Sequence, residues 1–303
     1  MSGVDLHSPA QPRFEGFHEG ERGVQDRAGL GAEAARLEGM LEPHALSPGA
    51  SAFLSAQTFA VLASRDAMSR LWSSPLSGPA GFLRGDVDTV QVLQVPAPGD
   101  PLHQVRVGAH AALLAFDPSR RRRLRVNGSV VAAAAGAFAV RVVETFGNCP
   151  AYIERRVLAP AVAASATTES ALTADGFLTS TASGIVQAAD TFFLGSEHPI
   201  RGADASHKGG PAGFVRVEGH DVLWPDFAGN NMFNSLGNIS VDSSAAVLFI
   251  DFERGVQVQL SGTAVLEWTS RPTHPTDFVT GRQVRFTPSA GFLTASPLRE
   301  ANA

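Results

Sequence analysis

Cysteine and lysine are almost absent from this chain of 303 residues. It has a single cysteine, Cys149, and one lysine, Lys208, among 24 basic residues. One cysteine excludes an intrachain disulfide framework and a cysteine-rich zinc site, and it favours a reducing compartment. The nine histidines show no spacing typical of metal ligands, so no metal site is predicted. The position of the lone lysine is therefore more informative than that of any arginine.

Long apolar runs and an excess of positive charge are also missing. The longest apolar stretch, residues 130–140, is too short to cross a bilayer. The N-terminus has no basic segment followed by an apolar one, so we expect no secretory signal and a cytoplasmic protein. The formal net charge of −5 argues against a nucleic-acid-binding surface. Hydrophobic residues make up 44% of the chain, which is sufficient for a globular protein.

The sequence contains an internal repeat. GPAGFLR at 78–84 recurs as GPAGFVR at 210–216, and AALLAFDPSRRRRLRVNGSVV at 111–131 aligns with AAVLFIDFERGVQVQLSGTAV at 245–265. QTFAVLAS at 57–64 and DTFFLGS at 190–196 have nearly the same offset. A period of roughly 130 residues is too long for a solenoid. We predict an N-terminal helical extension (1–48), a first copy (49–160) and a second copy (170–303), with a linker of small residues at 160–170.

Each copy has the pattern of short antiparallel strands. Residues 256–262 alternate apolar and polar side chains, as half-buried strands do, and residues 245–252 form an apolar run that suits a strand buried on both faces. Helical patterns are rarer and cover 19–41, which internal glycines weaken, and 168–181. Many short strands between turn residues predict a mainly β protein with few helices, built as two small barrels.

Two segments of the second copy are suited to an anion. SHKGGPAGF at 206–214 puts Lys208 beside glycines whose backbone can approach a phosphate closely; the plainer interpretation is a hairpin with an exposed lysine. Residues 223–238 carry several amide donors at a predicted strand-to-helix junction, where a helix N-terminus favours anions; the plainer interpretation is a solvated turn. The matching segment of the first copy, 90–100, lacks these donors, which predicts a site in the second copy only.

These segments resemble the FMN-binding split-barrel superfamily typified by pyridoxamine 5′-phosphate oxidase. GGPAGFVRV, LWPDFAGNNMFNSLGN, VLFIDF and VQVQLSG occur in the superfamily's order. FHEGERGVQDRAG, WSSPLSGPAGF, RRRLRVNG, GNCPAYIERR and DASHKGGPAGFVRV resemble a subfamily of predicted flavin-nucleotide-binding proteins. The resemblance covers nearly the whole chain and implies a tandem duplicated split β-barrel, pyridoxamine phosphate oxidase-like.

The same resemblance implies FMN as the cofactor, held in a cleft between two barrels. Its phosphate loop, Ser-Arg-Lys in the oxidase, matches Gly229, Asn230 and Asn231, so both cations are missing and Lys208 with Arg216 must supply the charge. The oxidase's C-terminal Trp and Arg have no counterpart in 272–293, so pyridoxamine phosphate is not the expected substrate. The residues assigned to the cofactor in the second copy are Ser206, His207, Lys208, Arg216, Gly229, Asn230, Asn231, Asn234, Ser235 and Gln257.

The first copy is expected to face the flavin ring. Trp72 would stack on it and Ser73 and Ser74 would bond its edge, with a core Trp72 as the alternative. The four consecutive arginines at 120–123 are predicted to form a charged turn from which one reaches the phosphate across the cleft. Cys149, followed by Pro150, is expected to be a buried packing residue at a helix start rather than a redox thiol.

The predicted function is that of an FMN-dependent oxidoreductase acting on a small molecule. A nicotinamide or a protein is the expected electron donor, and the chain is a monomer with pseudo-dimeric halves or a homodimer. No side chain stands out as a catalytic acid or base. The alternative is a flavin or heme binding or storage protein without turnover, for which His198, His207 or His220 would be the axial ligand of heme.

Overall fold

Eighteen strands and five helices are formed by the described part of the chain. A computed structural model describes residues 16–43, 45–147, 149–161, 168–229, 231–268 and 279–301. The helices are α1 (Glu19–Ala28), α2 (Gly31–Ala35), α3 (Pro48–Ser55), α4 (Ser180–Ala188) and α5 (Asn234–Val241), with a 3-10 turn at Glu38–Met40. None of these helices has the length and apolar character needed to cross a membrane.

The strands of the first copy and its flanks are β1 (Glu42–Pro43), β2 (Phe59–Arg65), β3 (Leu71–Ser77), β4 (Leu83–Asp86), β5 (Thr89–Val92), β6 (His110–Asp117), β7 (Arg122–Ala134), β8 (Ala137–Gly147) and β9 (Leu158–Pro160). Those of the second are β10 (Glu169–Ser170), β11 (Thr191–His198), β12 (Gly202–Gly209), β13 (Arg216–Glu218), β14 (Asp221–Phe227), β15 (Ser244–Asp251), β16 (Val256–Trp268), β17 (Val279–Ala295) and β18 (Leu298–Glu300).

The two copies have the same sheet topology. The first sheet has the order β3-β2-β6-β7-β8-β5-β4, and the second has the order β12-β11-β15-β16-β17-β14-β13, all antiparallel. Short strands β1 and β10 add to β8 and β17 in the same way. The mainly β, tandem duplicated fold predicted from the sequence is thereby confirmed.

A matched β-bulge interrupts the longest hairpin of each copy. The register of β7 against β8 shifts at Gly128, and that of β16 against β17 shifts at Gly262. A Cβ atom at Gly128 would lie 1.9 Å from the carbonyl oxygen of Arg141, and one at Gly262 would lie 2.1 Å from that of Thr287. Only glycine fits where the two backbones approach so closely. The aligned glycines therefore fix equivalent registers in the two copies.

The predicted helices are only partly present. The 19–41 segment forms α1, α2 and the 3-10 turn instead of one helix, because Gly29 ends α1 in the left-handed conformation at φ 71°. The prediction of a helix over 168–181 is wrong. Residues 169–170 form β10, and α4 begins only after Thr179, whose side chain accepts a hydrogen bond from the N–H of Ala182. The predicted linker falls largely on 162–167, outside the described residues.

A shared core joins the two copies. Phe59 and Phe116 of the first sheet pack edge to face against Phe193 of the second, with ring centroids 5.5 and 5.4 Å from Phe193. Leu248 of β15 belongs to the same buried cluster. Each copy also has its own core inside its barrel. Because the sheets pack face to face, alternating polar residues of β7 and β16 lie between the copies rather than in solvent.

Candidate functional site

Among the cavities that residues of both copies line, two are related to each other by the internal repeat. The GPAGF turns follow β3 in the first copy and β12 in the second, so Leu76 occupies the position of Lys208. The matched bulges of β7 and β16 likewise put Gln257 at the position of Arg123. Equivalent places in the two copies therefore carry different chemistry.

The first cleft opens between β7 and the 149–152 segment of the first copy and β12, β14 and the start of α5 in the second. It holds about 880 Å³ of empty space, part of it open to solvent. Its lining includes Arg123, Arg125, Cys149, Ala151 and Tyr152 from the first copy and His207, Lys208, Asp226, Phe227, Gly229, Asn231, Phe233, Asn234 and Ser235 from the second. Both segments suited to an anion thus meet here.

Three cationic side chains converge on the first cleft. Arg125 is buried and forms an ion pair with Asp204, with Nη1 at 2.9 Å from Oδ2. Lys208 is half-buried, and burial lowers its pKa while the charge of Asp226 opposes that effect. Within the described ranges, its ammonium has neither a hydrogen bond nor an ion pair. Because Asp204 neutralises Arg125, Lys208 and Arg123 carry the positive charge that a ligand meets.

The N-terminus of α5 faces the same cleft without a side-chain cap. Phe233 precedes the helix in the left-handed conformation at φ 59°, and its first turn contains no acidic residue. The first N–H groups of a helix have no intrahelical partners and favour an anion. Ser235 ties this end to β12, since its Oγ lies 2.9 Å from both Asp204 Oδ2 and Ser206 Oγ. The start of α5 is thereby fixed beside Lys208.

His207 and Arg123 each have a buried N–H without a partner. Arg123 Nη1 donates to His207 Nδ1 at 2.6 Å, so the neutral imidazole has its proton on Nε2. Burial, followed by the charge of Arg123, holds the pKa of His207 well below 6.5, which keeps the ring neutral. His207 Nε2 and Arg123 Nε have no hydrogen-bond partner among the described residues. Unpartnered buried donors are rare in folded proteins, and two in one cleft indicate a ligand that accepts hydrogen bonds.

An aromatic wall completes the first cleft. Tyr152 stacks on Phe227 with ring centroids 5.4 Å apart, and its hydroxyl donates to the carbonyl of Ala228 at 2.7 Å. Tyr152 packs against β12 at Gly209, where a Cβ atom would lie 1.9 Å from the carbonyl oxygen of Tyr152. Glycine is therefore required at 209 for the two segments to meet. A planar ring system can pack on such a wall.

Cys149 is exposed, which corrects the prediction of a buried packing residue. The helix predicted after Pro150 does not form, because residues 151–152 make a turn in which Tyr152 has φ 62°. The carbonyl of Cys149 accepts a hydrogen bond from Arg123 Nη2 at 2.9 Å, and the residue lines the first cleft.

Trp72 lies in the core of the first copy and not in the first cleft. It is fully buried, its Nε1 donates to Asp66 at 2.9 Å, and it stacks on Phe292 with ring centroids 5.3 Å apart. Of the two interpretations offered by the sequence, Trp72 is therefore the core tryptophan and not the residue that stacks on the flavin ring. Since Trp72 is fully buried and its N–H is bonded to Asp66, it offers no free surface to a ring in the first cleft.

Four further predicted residues also lie away from the first cleft. Ser73 and Ser74 are buried next to the second cleft, and Gln257 lines that cleft. Arg216 lies on β13 and pairs with Glu218 at 3.0 Å.

The other predicted cofactor residues gather at the first cleft. Ser206 lies beneath it, bonded to Ser235, and Asn234 lines it while donating to Glu21 of α1 at 2.5 Å. Asn230 falls outside the described residues.

Several lining residues were not assigned to the cofactor from the sequence. They are Arg125, Tyr152, Asp226 and Phe227. Arg123 and Arg125 alternate along β7, and this period of two could have indicated that both point to one face of the strand. No feature of the sequence indicated that this face of β7 packs against the second copy.

His18, Glu19 and His198 lie close enough to share a cation, but their hydrogen bonds oppose metal binding. The backbone N–H of Gly20 donates to His18 Nδ1 and that of Ile200 to His198 Nδ1, both at 3.1 Å. Each neutral ring then has its proton on Nε2, the atom that a metal would need. These histidines instead satisfy backbone groups at the start of α1 and at the turn after β11.

Of the histidines considered as heme ligands, only His207 lines the first cleft. His198 is engaged with Glu19 at 3.0 Å, and His220 stacks on Phe177 with ring centroids 3.8 Å apart. Neither of these two lines either cleft.

Comparison with known proteins gives matches among solved structures. No protein-family model matches the chain, and no curated protein matches it. Group A Streptococcus HupZ is 12% identical over 42% of this chain and 100% of its own, with a TM-score of 0.32. A putative pyridoxamine 5′-phosphate oxidase from Lactobacillus delbrueckii is 15% identical over 39% and 94%, with a TM-score of 0.32. General Stress Protein 26 from Bacillus anthracis is 12% identical over 39% and 94%, with a TM-score of 0.27.

The architecture rests on the chain's own duplicated strand order. Both sheets share that order and carry a glycine bulge at the same place.

Proposed function

We propose that this chain binds one molecule of FMN in the first cleft and uses it as the cofactor of an oxidoreductase that acts on a small molecule. The observation that carries the proposal is the meeting of Lys208, the uncapped start of α5 and the unpartnered donors of Arg123 and His207 in one cleft. A phosphate monoester carries about two negative charges and several strong acceptor oxygens. It satisfies this set of groups better than a neutral ligand does.

The aromatic wall favours a flavin nucleotide over inorganic phosphate. Tyr152 and Phe227 form a stacked pair at the rim of the cleft that holds the cationic groups. A ligand with a planar ring at one end and a phosphate at the other uses both features. This arrangement supports the flavin-type cofactor that the sequence predicts.

Only the first cleft is suited to a phosphate. At the matching places the second cleft has Leu76 for Lys208 and Gln257 for Arg123. Ser74, which is the counterpart of Ser206, donates a hydrogen bond to the carboxylate of Asp100 at 2.6 Å. A phosphate there would meet a negative charge and no cation. One FMN per chain follows.

Bound FMN would supply two-electron transfer, and the chain's residues would bind, orient and shield it. Lys208 and the start of α5 hold the phosphate end, and Arg123 with His207 adds N–H donors. The neutral His207 keeps its proton on Nε2 and so acts as a hydrogen-bond donor rather than a base. Tyr152 and Phe227 exclude water from one side of the cleft.

The first test is the cofactor content of the protein. After reconstitution with excess FMN and removal of the free flavin, denaturation is expected to release one FMN per chain, because only the first cleft has an anion site. Absorbance and chromatography of the released flavin give its amount and identity. Two equivalents per chain, FAD in place of FMN, or a chain that retains no flavin would each overturn the proposal.

Turnover is tested separately from binding. We expect NADH or NADPH to reduce the bound FMN faster than it reduces free FMN, and oxygen or a small acceptor to reoxidise it. Anaerobic stopped-flow absorbance measures both steps. Reduction of the bound flavin no faster than that of free FMN by any nicotinamide donor would make the chain a flavin-binding protein without this activity.

Alkylation of Cys149 provides an independent measure of occupancy of the first cleft. The thiol is exposed and lines the cleft, so we expect iodoacetamide to label the native protein once and FMN to slow the labelling. Mass spectrometry with and without FMN measures both rates. FMN should protect Cys149 more strongly than inorganic phosphate does, because only the flavin ring covers the aromatic wall. Equal labelling at saturating FMN would place the flavin away from Cys149.

A further inference from the structure

The second cleft is a built cavity with a chemistry opposite to that of the first. It lies between β3 and the 94–103 loop of the first copy and β16 and the end of β17 in the second, and holds about 1710 Å³ of empty space, part of it open to solvent. Its polar lining includes Gln94, Asp100, His103, Gln257, Gln259 and Thr294. None of its described lining residues is a lysine or an arginine.

A chain of hydrogen bonds fixes which atoms face this cleft. Gln259 Nε2 donates to Asp100 Oδ2 at 3.0 Å and to the carbonyl of Ser73 at 3.1 Å, so its amide orientation is set by two acceptors. Its Oε1 therefore accepts from Gln257 Nε2 at 3.2 Å. The series of hydrogen bonds therefore ends at Gln257 Oε1, and that atom is buried without a partner among the described residues. The free group is an acceptor.

The carboxyl group of Asp100, at the other end of this series of hydrogen bonds, accepts hydrogen bonds on both of its oxygens. Asp100 Oδ1 accepts from Ser74 Oγ at 2.6 Å and from the N–H of Leu102 at 2.8 Å. Burial raises the pKa of Asp100, and the donors of Ser74, Leu102 and Gln259 oppose that shift. Hydrogen bonds from Ser74, Leu102 and Gln259 to one carboxyl group hold the amide of Gln259 in one orientation.

The contrast between the two clefts follows from the internal repeat. In the first cleft the buried groups without partners are N–H donors, beside a lysine and the start of a helix. At the equivalent place of the second cleft, the group without a partner is an oxygen, beside a carboxylate. An anion is therefore excluded from the second cleft, and a ligand that donates is favoured.

We propose that the second cleft is a separate binding site for a small, phosphate-free molecule that donates N–H hydrogen bonds, of the primary-amide class. The amide N–H of such a molecule bonds Gln257 Oε1, and its uncharged body packs against the prolines at 75, 96 and 297. The site is independent of FMN, because no residue of the second cleft lines the first.

The test uses nicotinamide and nicotinate, two probes with one ring that differ in donor and charge. We expect the full chain, by calorimetry or saturation-transfer NMR, to bind nicotinamide at least about tenfold more tightly than nicotinate, since the carboxylate has no proton to donate. Gln257→Met removes the acceptor at nearly constant volume and should weaken nicotinamide binding about 3- to 10-fold. Gln187→Met, an exposed glutamine on α4, is the matched control and should leave it unchanged.

The comparison of the two probes on the unmodified protein needs no variant and so does not depend on how Gln257→Met folds. Lys208→Ala and saturation with FMN should leave nicotinamide binding unchanged, which separates this site from the first cleft. Equal binding of nicotinate, no binding of nicotinamide, or a folded Gln257→Met protein with unchanged affinity would each overturn the second site. Competition by FMN would move the probe to the first cleft and overturn it as well.

Discussion

Lys208→Ala is expected to weaken FMN binding roughly 10- to 150-fold while leaving the affinity for riboflavin nearly unchanged. Loss of a charge-assisted hydrogen bond typically costs about 1.5–3 kcal/mol, which corresponds to that range in Kd. Lys208 is the only lysine of the chain, and it lines the first cleft with the start of α5, where its ammonium has no hydrogen bond or ion pair to any described residue. Riboflavin has no phosphate group, so its binding does not depend on Lys208. Fluorescence quenching of the flavin on titration measures both affinities.

Two controls make the Lys208 experiment specific. Arg84→Ala removes an exposed cation on β4, outside both clefts, and should change neither affinity. Raising the ionic strength should weaken FMN binding to the unmodified protein more than to Lys208→Ala. Salt screens the attraction between the ammonium and the phosphate, and the variant lacks that attraction. If the variant loses FMN and riboflavin equally, Lys208 acts on the ring or on folding rather than on the phosphate.

The duplication could be predicted from the sequence because its signals are local. The two GPAGF turns follow equivalent strands, and Gly128 and Gly262 each mark a bulge, so both copies repeat the same backbone constraints. Turn and bulge glycines depend on φ and on close approach of two backbones, which neighbouring residues reveal. Alternation along β16 likewise predicted a strand.

The burial of the polar positions could not be predicted, because it depends on how the copies pack. Gln257 and Gln259 of β16 and Arg125 and Asn127 of β7 look like the solvent face of half-buried strands, yet all four are buried. A period of two tells that two faces differ and not which body covers the polar one. Gln257 was assigned to the cofactor with Lys208, but the structure puts the two residues in different clefts.

Cys149 shows how a local pattern can mislead. Pro150 suits the first turn of a helix, which predicted a helix start and a buried thiol. The chain turns instead, since Tyr152 adopts a left-handed conformation and its backbone packs against Gly209, a contact between distant segments. The thiol is left at the rim of the cleft. The partner that decides this geometry lies on the other copy and is invisible to local propensity.

The largest stability effect is expected at the Arg125–Asp204 pair, which joins the two copies beneath the first cleft. Both side chains are less than 10% exposed, and Arg125 Nη1 lies 2.9 and 3.0 Å from the two carboxylate oxygens. Removing one partner of a buried pair leaves a buried charge and costs about 3–5 kcal/mol. We expect Arg125→Met to lower the free energy of unfolding by that amount, measured by urea denaturation.

The double variant Arg125→Met with Asp204→Leu is expected to regain most of this loss, because neither charge is then left alone. Asp204 also lies 2.9 Å from Ser235 Oγ at the start of α5, so the double variant should still bind FMN more weakly than the unmodified protein. Arg254→Met, which breaks an exposed pair with Asp251, is the matched control and should cost less than about 1 kcal/mol. A double variant as unstable as Arg125→Met would show that packing at 125, rather than the unpaired carboxylate, holds the two copies together.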